Sequence, residues 1–237
     1  MEMRIQKKIV GFVCAIAAAT ASPVMAAGMQ PETSVVILYE ADGEASINVK
    51  NTDDAASLLH SSIENVPEDT EELVVLTPPV ARVEAGETQL VRFLRQGGEP
   101  SKKQRLKRVI FEGIPQRPNA DGSARIGVTV RQNLPLIIHP AGLERNREPW
   151  KLLKWQVNND KLSVINDSAY VVRMAQEVVL QPSGKVVSLP RTYVLPGETL
   201  AVDGPAVAGS TNVRIAPATI YGFSTDHYDA AINTDRR

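Results

Sequence analysis

The sequence predicts an all-β protein built as two sandwich domains. Short runs of alternating or continuous apolar residues recur along the chain, closed by Gly, Pro, Asn and Asp, and no long stretch carries the helical period. The runs fall into two blocks of about a hundred residues each, the spacing of sandwich domains. A polar segment at residues 141–149, with Gly142 and Pro149, separates them and marks a domain boundary. A hydrophobic content of 43% is that of a globular chain and excludes wholesale disorder.

Residues 1–26 read as a secretory leader. Arg4, Lys7 and Lys8 supply the positive start, residues 9–21 the apolar middle, and Val24-Met25-Ala26 the small-residue cleavage chemistry. The apolar middle is short for a bilayer, which wants ~20 apolar residues, and no later run approaches that length, so no stable membrane insertion is expected. Cys14, the sole cysteine, lies in the leader, so the exported chain has neither a disulfide nor a catalytic thiol. Its domains must be held by their cores alone, which is feasible at this size. Losing the leader removes Arg4, Lys7, Lys8 and Glu2 and leaves 23 basic against 26 acidic residues, a net charge of about −3 that argues against nucleic acid as a partner.

The domain expected at residues 27–140 opens with an apolar run at 35–39, closed by Asp42-Gly43. Ala45, Ile47 and Val49 then alternate with Ser46, Asn48 and Lys50, and Asn51-Thr52-Asp53-Asp54 is a turn by composition. Leu59, Ser61 and Ile63 share a face. An acidic patch, Glu68, Asp69, Glu71 and Glu72, leads into residues 73–76, after which Pro78 and Pro79 interrupt the ladder because proline has no N–H to donate. Residues 80–84 and 89–94 are extended, the latter with Arg92 between Leu90 and Leu94. The basic run at 102–108 reads as a solvated entry into the apolar Val109-Ile110-Phe111 strand.

Residues 125–140 are the most patterned stretch. Ile126, Val128, Val130, Leu134, Leu136 and Ile138 share one face, broken only by Gln132. At ~3.3 Å per residue the thirteen residues from Ile126 to Ile138 would span about 43 Å, far beyond an ordinary strand. Two readings fit: a long core strand, or a strand that lends part of its apolar row to another protein. After a linker at 141–150, the domain expected at 151–237 restarts the rhythm with Leu153, Trp155 and Val157, a hairpin at Asn158-Asn159-Asp160, and strands at 162–165, 170–180, 186–189, 193–195, 200–202, 213–215 and 220–223.

Enzyme chemistry finds no support. There is no Gly-x-Ser-x-Gly elbow, Walker-type loop or His-Glu-x-x-His. His60, His139 and His227 are scattered, and Asp226-His227-x-Asp229 is a polar loop rather than a metal site, so no metal and no cofactor is expected. A surface adhesion module remains the alternative function class, although such a module has no need for a long apolar strand before a flexible joint.

The order of motifs resembles the periplasmic pilus chaperones (PapD-like). The resemblance rests on the NVKN ending at Asn51, TPPVARVEAG from Thr77, QLVRF from Gln89, VIFEGIP from Val109, the long strand, LKWQV and NNDKLSVIND, the PSGK turn, VLPGE, and PATIYGFSTDHYDA. It implies two immunoglobulin-like domains in an L-shaped arrangement. It further implies a non-enzymatic periplasmic role: a strand donated to incomplete pilin subunits, which are then passed to an outer-membrane usher. The donor residues fall on Ile126, Val128 and Val130. The family's cleft arginine and lysine, which hold the subunit's terminal carboxylate, fall on Val35 and Pro135, and its interdomain arginine falls on His139. That departure points to the archaic or alternative branch and leaves Arg92, and second Arg131, as candidate carboxylate anchors. Pro78 and Pro79 are candidate usher-facing residues. An exposed apolar strand also invites capping, which makes a self-capping dimer a candidate state of the free protein.

Overall fold

A computed structural model describes residues 28–97, 99–115, 129–158, 161–202 and 209–234. The leader expected at 1–26 lies outside these residues, as do Ile126 and Val128. The regular structure of the described chain is almost wholly strand: β1 (Met29–Pro31), β2 (Val36–Tyr39), β3 (Glu44–Asn51), β4 (Ser57–Asn65), β5 (Val74–Thr77), β6 (Val80–Val83), β7 (Thr88–Arg95), β8 (Arg105–Pro115) and β9 (Arg131–His139) form the first domain. A 3-10 turn at Pro149–Leu152 then leads into β10 (Lys154–Asn158), β11 (Lys161–Asn166), β12 (Val172–Arg173), β13 (Glu177–Gln181), β14 (Val186–Ser188), β15 (Tyr193–Val194), β16 (Glu198–Ala201), β17 (Asn212–Ile215) and β18 (Tyr228–Thr234).

In the first domain a four-stranded sheet, β1-β3-β7-β5, packs on a five-stranded one, β2-β9-β8-β4-β6. The opening segment switches sheets: β1 pairs antiparallel with β3, whereas β2 pairs parallel with β9. Alternation decides what is buried, as Ile47 and Val49 of β3, Val91 and Phe93 of β7, and Val109 and Phe111 of β8 meet Leu134, Leu136 and Ile138 of β9 in one core. Each such side chain, fully buried, contributes about 1.5–3 kcal/mol.

The second core gathers around Trp155, between the seven-stranded sheet β14-β13-β17-β18-β10-β11-β16 and the β12-β15 pair. Both domains close a strand with the same device. Buried Asn51 donates to the carbonyls of Ala55 and Val83 and accepts Asp53 N–H. Buried Asn166 likewise donates to Tyr170 and Val194 and accepts Ser168 N–H.

Three sequence expectations are corrected here. The strand expected at 220–223 is a tight turn in which Thr219 N–H reaches the Phe223 carbonyl at 2.8 Å and Gly222 N–H the Thr219 carbonyl at 2.9 Å, with Gly222 at φ +86°. Local bonds and a left-handed glycine override the apolar run. The strand expected at 170–180 divides into β12 and β13, because β12 pairs with β15 whereas β13 pairs with β14 and β17. The basic run is exposed only at Lys102 and Lys103. Lys107 is 1% exposed, and its ammonium donates to the Asp69 carbonyl at 2.7 Å and to Asp69 Oδ1 at 2.9 Å. Arg105 holds the same carboxylate from Nε at 2.6 Å, so the acidic patch and the basic run neutralise one another.

A third apolar cluster joins the domains: Val35, Val66, Leu106 and Ile137 from the first meet Val171 from the second, with Tyr193 and Leu195 packed against it. Polar bonds frame it. Gln104 N–H reaches the Ala169 carbonyl at 2.8 Å, Tyr193 O–H donates to Glu68 Oε2 at 2.9 Å, and Arg191 pairs with Glu68 at 2.8 Å. Burial first, then the Glu68 carboxylate, pushes the Tyr193 phenol up to about 12, so it stays a donor at any physiological pH.

Candidate functional site: an open strand edge beside the interdomain cleft

The edge of β9 is unevenly covered. On one side β8 accompanies it throughout, from Arg131 opposite Glu112 to Ile138 opposite Arg105. On the other side β2 begins only at Leu136 and runs to His139. Among the described residues, 131–135 therefore have a ladder partner on one side and an open edge on the other. Pro135 stands at the last open position, where its missing N–H leaves no ladder bond unmade.

A cleft of about 680 Å³ lies along this edge, walled by residues 30–35 from the end of β1 to the start of β2, by Gln132, Asn133 and Leu134 of β9, and by Tyr221 and Phe223 of the second domain. The two aromatics are 50% and 70% exposed, which is unusual for such large apolar surface and leaves it available for contact. The cleft is narrow at the joint: the Ser34 hydroxyl donates to the Tyr221 carbonyl at 3.2 Å, and Gly222 lies so near residues 34–35 that a Cβ on it would stand 2.9 Å from Val35 Cγ2. Among the described lining residues none is cationic, and Glu32 is held by Asn48 through its backbone N–H at 2.9 Å and its amide at 3.0 Å.

The expected site residues are dispersed relative to this cleft. Val130 stands just before β9, beside Gly28, with 38% of its surface exposed. Ile126 and Val128 lie outside the described residues. Arg131 opens β9 and is ion-paired with Glu64, both half-exposed. Arg92 lies on β7, in the other sheet, ion-paired with Glu44 and equally half-exposed. Pro78 and Pro79 link β5 to β6, where the Pro79 carbonyl accepts Ser61 N–H at 2.8 Å and Val80 beside them is 52% exposed. Asp229 is held by Arg214 at 2.7 and 2.8 Å, so its carboxylate is already engaged.

Val35 is buried in the apolar cluster between the domains, and Pro135 is buried opposite Arg108. His139 accepts the Gln104 amide N–H at Nδ1 and donates from Nε2 to the Leu143 carbonyl, both at 2.9 Å. Two features escaped the sequence reading: the aromatic wall of Tyr221 and Phe223, which read as part of a strand, and the approach of Arg108 in the first domain to Arg173 in the second, where burial lowers the Arg173 pKa and the charge of Arg108 lowers it further.

A family model described as pili and flagellar-assembly chaperone, PapD N-terminal domain, matches residues 28–144, and one described as pili assembly chaperone PapD, C-terminal domain, matches residues 148–228. The chain is 46% identical over 210 residues to an uncharacterized fimbrial chaperone, YhcA, of Escherichia coli K12, covering 88% of this chain and 92% of that protein. It is 29% identical to the chaperone protein caf1M of Yersinia pestis over 75% of each chain. The SafB chaperone structure of Salmonella enterica, solved in complex with the SafA pilin, superposes with a TM-score of 0.71 at 19% identity, over 88% of this chain and 98% of that one. A CsuC–CsuE chaperone–adhesion subunit complex of Acinetobacter baumannii gives 0.61 at 19% identity, over 88% and 99%. At such identities these structures show a shared fold. With both domains matched in chain order and a close relative covered along nearly its whole length, the chain belongs to the PapD family of pili assembly chaperones.

Proposed function

We propose that this protein is a periplasmic chaperone that captures pilin subunits by lending them a β-strand and delivers them to an outer-membrane usher. The observation that carries the reading is the open edge of β9 at residues 131–135, lying along the cleft between the two domains. A subunit lacking its last strand has unpaired backbone groups and an apolar groove, both of which invite aggregation. The open edge supplies the missing ladder, and the apolar row formed by Ile126, Val128 and Val130 supplies side chains for the groove. The exposed Val130 supports this assignment. The same row would be buried by self-association in the free protein.

The leader at 1–26 supports a periplasmic location, and a binding role of this kind needs no catalytic group and no cofactor. Pro78 and Pro79, with the exposed Val80 beside them, form the candidate usher-facing surface. The absence of a cation at Val35 and Pro135 supports placement in the archaic or alternative branch. Arg92 and Arg131 could anchor a subunit carboxylate only by exchanging their present partners, Glu44 and Glu64.

The test is co-purification of a co-expressed cognate pilin subunit with a variant carrying Ile126→Ser, Val128→Ser and Val130→Ser. Loss of the subunit with an unchanged melting temperature is the expected result. Full retention would overturn the proposal.

A further inference from the structure

We propose that the segment around Arg145, between the two domains, is a strap that sets the width of the interdomain cleft, with Arg145 as its positioning residue; its part in subunit capture rests on the chaperone reading. The chain from Leu143 to Arg145 is held by one domain and then by the other. The Leu143 carbonyl accepts Nε2–H of His139 in the first domain at 2.9 Å, and the Glu144 carbonyl accepts the Tyr170 hydroxyl of the second at 2.7 Å. Burial, and then the Glu144 carboxylate, raises the Tyr170 phenol, so it remains a donor at neutral pH. Arg145 returns to the first domain, where its guanidinium carbon lies 4.5 Å from the centroid of the Tyr39 ring. A cation at that distance is attracted by the face of the ring. Arg145 is exposed, and among the described residues no carboxylate pairs with it, so the Tyr39 ring is the contact that places its charge.

The strap reaches the foot of the aromatic wall. Arg145 and Asn146, with Tyr39 and His139 of the first domain and Ile220 of the second, enclose a gap of only about 10 Å³. That is about the least space one water requires, so the contact is closely packed and passes a displacement on. Ile220 belongs to the tight turn that Thr219 and Phe223 close, and Tyr221 and Phe223 of the cleft wall follow it in that turn. The same groups act on one another electrostatically: burial raises the Tyr39 phenol, the Arg145 charge opposes that, and Tyr221 raises it again. The Ser34 hydroxyl holds the Tyr221 carbonyl at 3.2 Å. The turn is thus fastened at Ser34 and backed at Ile220 by the strap. A shorter side chain at residue 145 would widen the gap behind Ile220 and let Tyr221 and Phe223 shift relative to the β9 edge.

The test uses the chain from residue 27 onward, which lacks Cys14 and so has no cysteine of its own. Spin labels are placed at Lys50→Cys, on β3 next to the partner of Gln30, and at Ser224→Cys, just after the turn; both positions are exposed. Distances between the labels, and capture of a co-expressed pilin subunit, are measured with Arg145 intact and in Arg145→Ala, with Arg145→Lys as the variant that keeps a cation over the ring. Arg145→Ala is expected to shift or broaden the distance distribution at a near-wild-type melting temperature. It should also weaken capture about two- to fivefold, the size of one exposed cation–π contact. Arg145→Lys is expected to keep both the distribution and the capture, and Tyr39→Leu to reproduce the alanine result with no further change on adding Arg145→Ala. An unchanged distribution in Arg145→Ala, a changed one with undiminished capture, or a lysine variant that behaves like alanine overturns the proposal. A shift in Arg145→Ala together with no subunit captured by the parent chain leaves the strap standing and overturns the chaperone reading instead.

Discussion

The Gln104 side chain joins His139 to the second domain: its amide nitrogen donates to His139 Nδ1 at 2.9 Å, and its oxygen accepts Val171 N–H at 2.8 Å. The orientation is self-consistent. An amide nitrogen can only donate, so Nδ1 is the acceptor and Nε2 carries the proton given to Leu143. Tyr39 meets the histidine ring edge-on, with centroids 5.1 Å apart. A buried network in which every member is satisfied fixes the joint more firmly than apolar contact alone.

Gln104→Leu would keep the volume and orphan two buried groups, the imidazole nitrogen and Val171 N–H. The expected loss is about 2 kcal/mol, read as a lower denaturant midpoint in equilibrium unfolding. An unchanged midpoint would mean that solvent already satisfies the joint.

Asp69 contributes stability with a defined pH window. Burial alone would raise its carboxyl, but hydrogen bonds from Arg105 and Lys107 outweigh burial and hold it below its ordinary value of 3.8. Its folded pKa is therefore depressed, so its contribution is present above about pH 4 and is lost as pH falls through the lower folded value. Asp69→Asn leaves Lys107 charged and 1% exposed, and should cost about 3 kcal/mol at neutral pH. The gap between wild type and variant should narrow in melts taken below pH 4. A constant gap would show that Asp69 acts through geometry rather than charge.

Gly222 tests the cleft from its narrow end. At φ +86° an alanine costs about 1 kcal/mol in backbone strain, and its methyl would press on the Ser34 hydroxyl and on Val35. Gly222→Ala should destabilise the protein and push the Tyr221–Phe223 wall outward, weakening subunit capture. Adding Ser34→Ala should recover part of both losses, a non-additivity that double-mutant melts can measure.

Much of the fold was legible because its signals are local. Alternation of Ala45, Ile47 and Val49 specified β3, and the polar run after Asn51 specified its turn. The apolar face of β9 was equally plain, and Leu134, Leu136 and Ile138 fill the core as their spacing requires. Features that depend on distant partners were not legible. The charge of Lys107 was visible, but its partner Asp69 lies 38 residues away, so a buried ion pair looked like a solvated run. Arg108 and Arg173 look like ordinary strand arginines until the packing of two domains brings one within reach of the other's charge. At 220–223 the apolar character was real, but Thr219 and a left-handed Gly222 close the chain on itself.

The open edge of β9 can be tested separately from its side chains. Successive residues of a strand point their N–H groups to opposite sides. Pro135, which has none to give, fixes the parity: residues 131, 133 and 135 address the open side, and Gln132 addresses β8. Arg131→Pro should therefore remove one donor from the open edge while sparing the ladder to β8. The lost pair with Glu64 is half-exposed and contributes about 0–1 kcal/mol. Gln132→Pro should instead break a ladder bond and cost about 1–3 kcal/mol. If the edge receives the subunit's strand, Arg131→Pro captures less subunit at nearly wild-type stability, whereas Arg131→Ala, which removes the charge and keeps the N–H, captures it normally. Equal loss in both Arg131 variants would assign the effect to the guanidinium and favour its role as a carboxylate anchor. Normal capture by Arg131→Pro would remove this part of β9 from the docking surface.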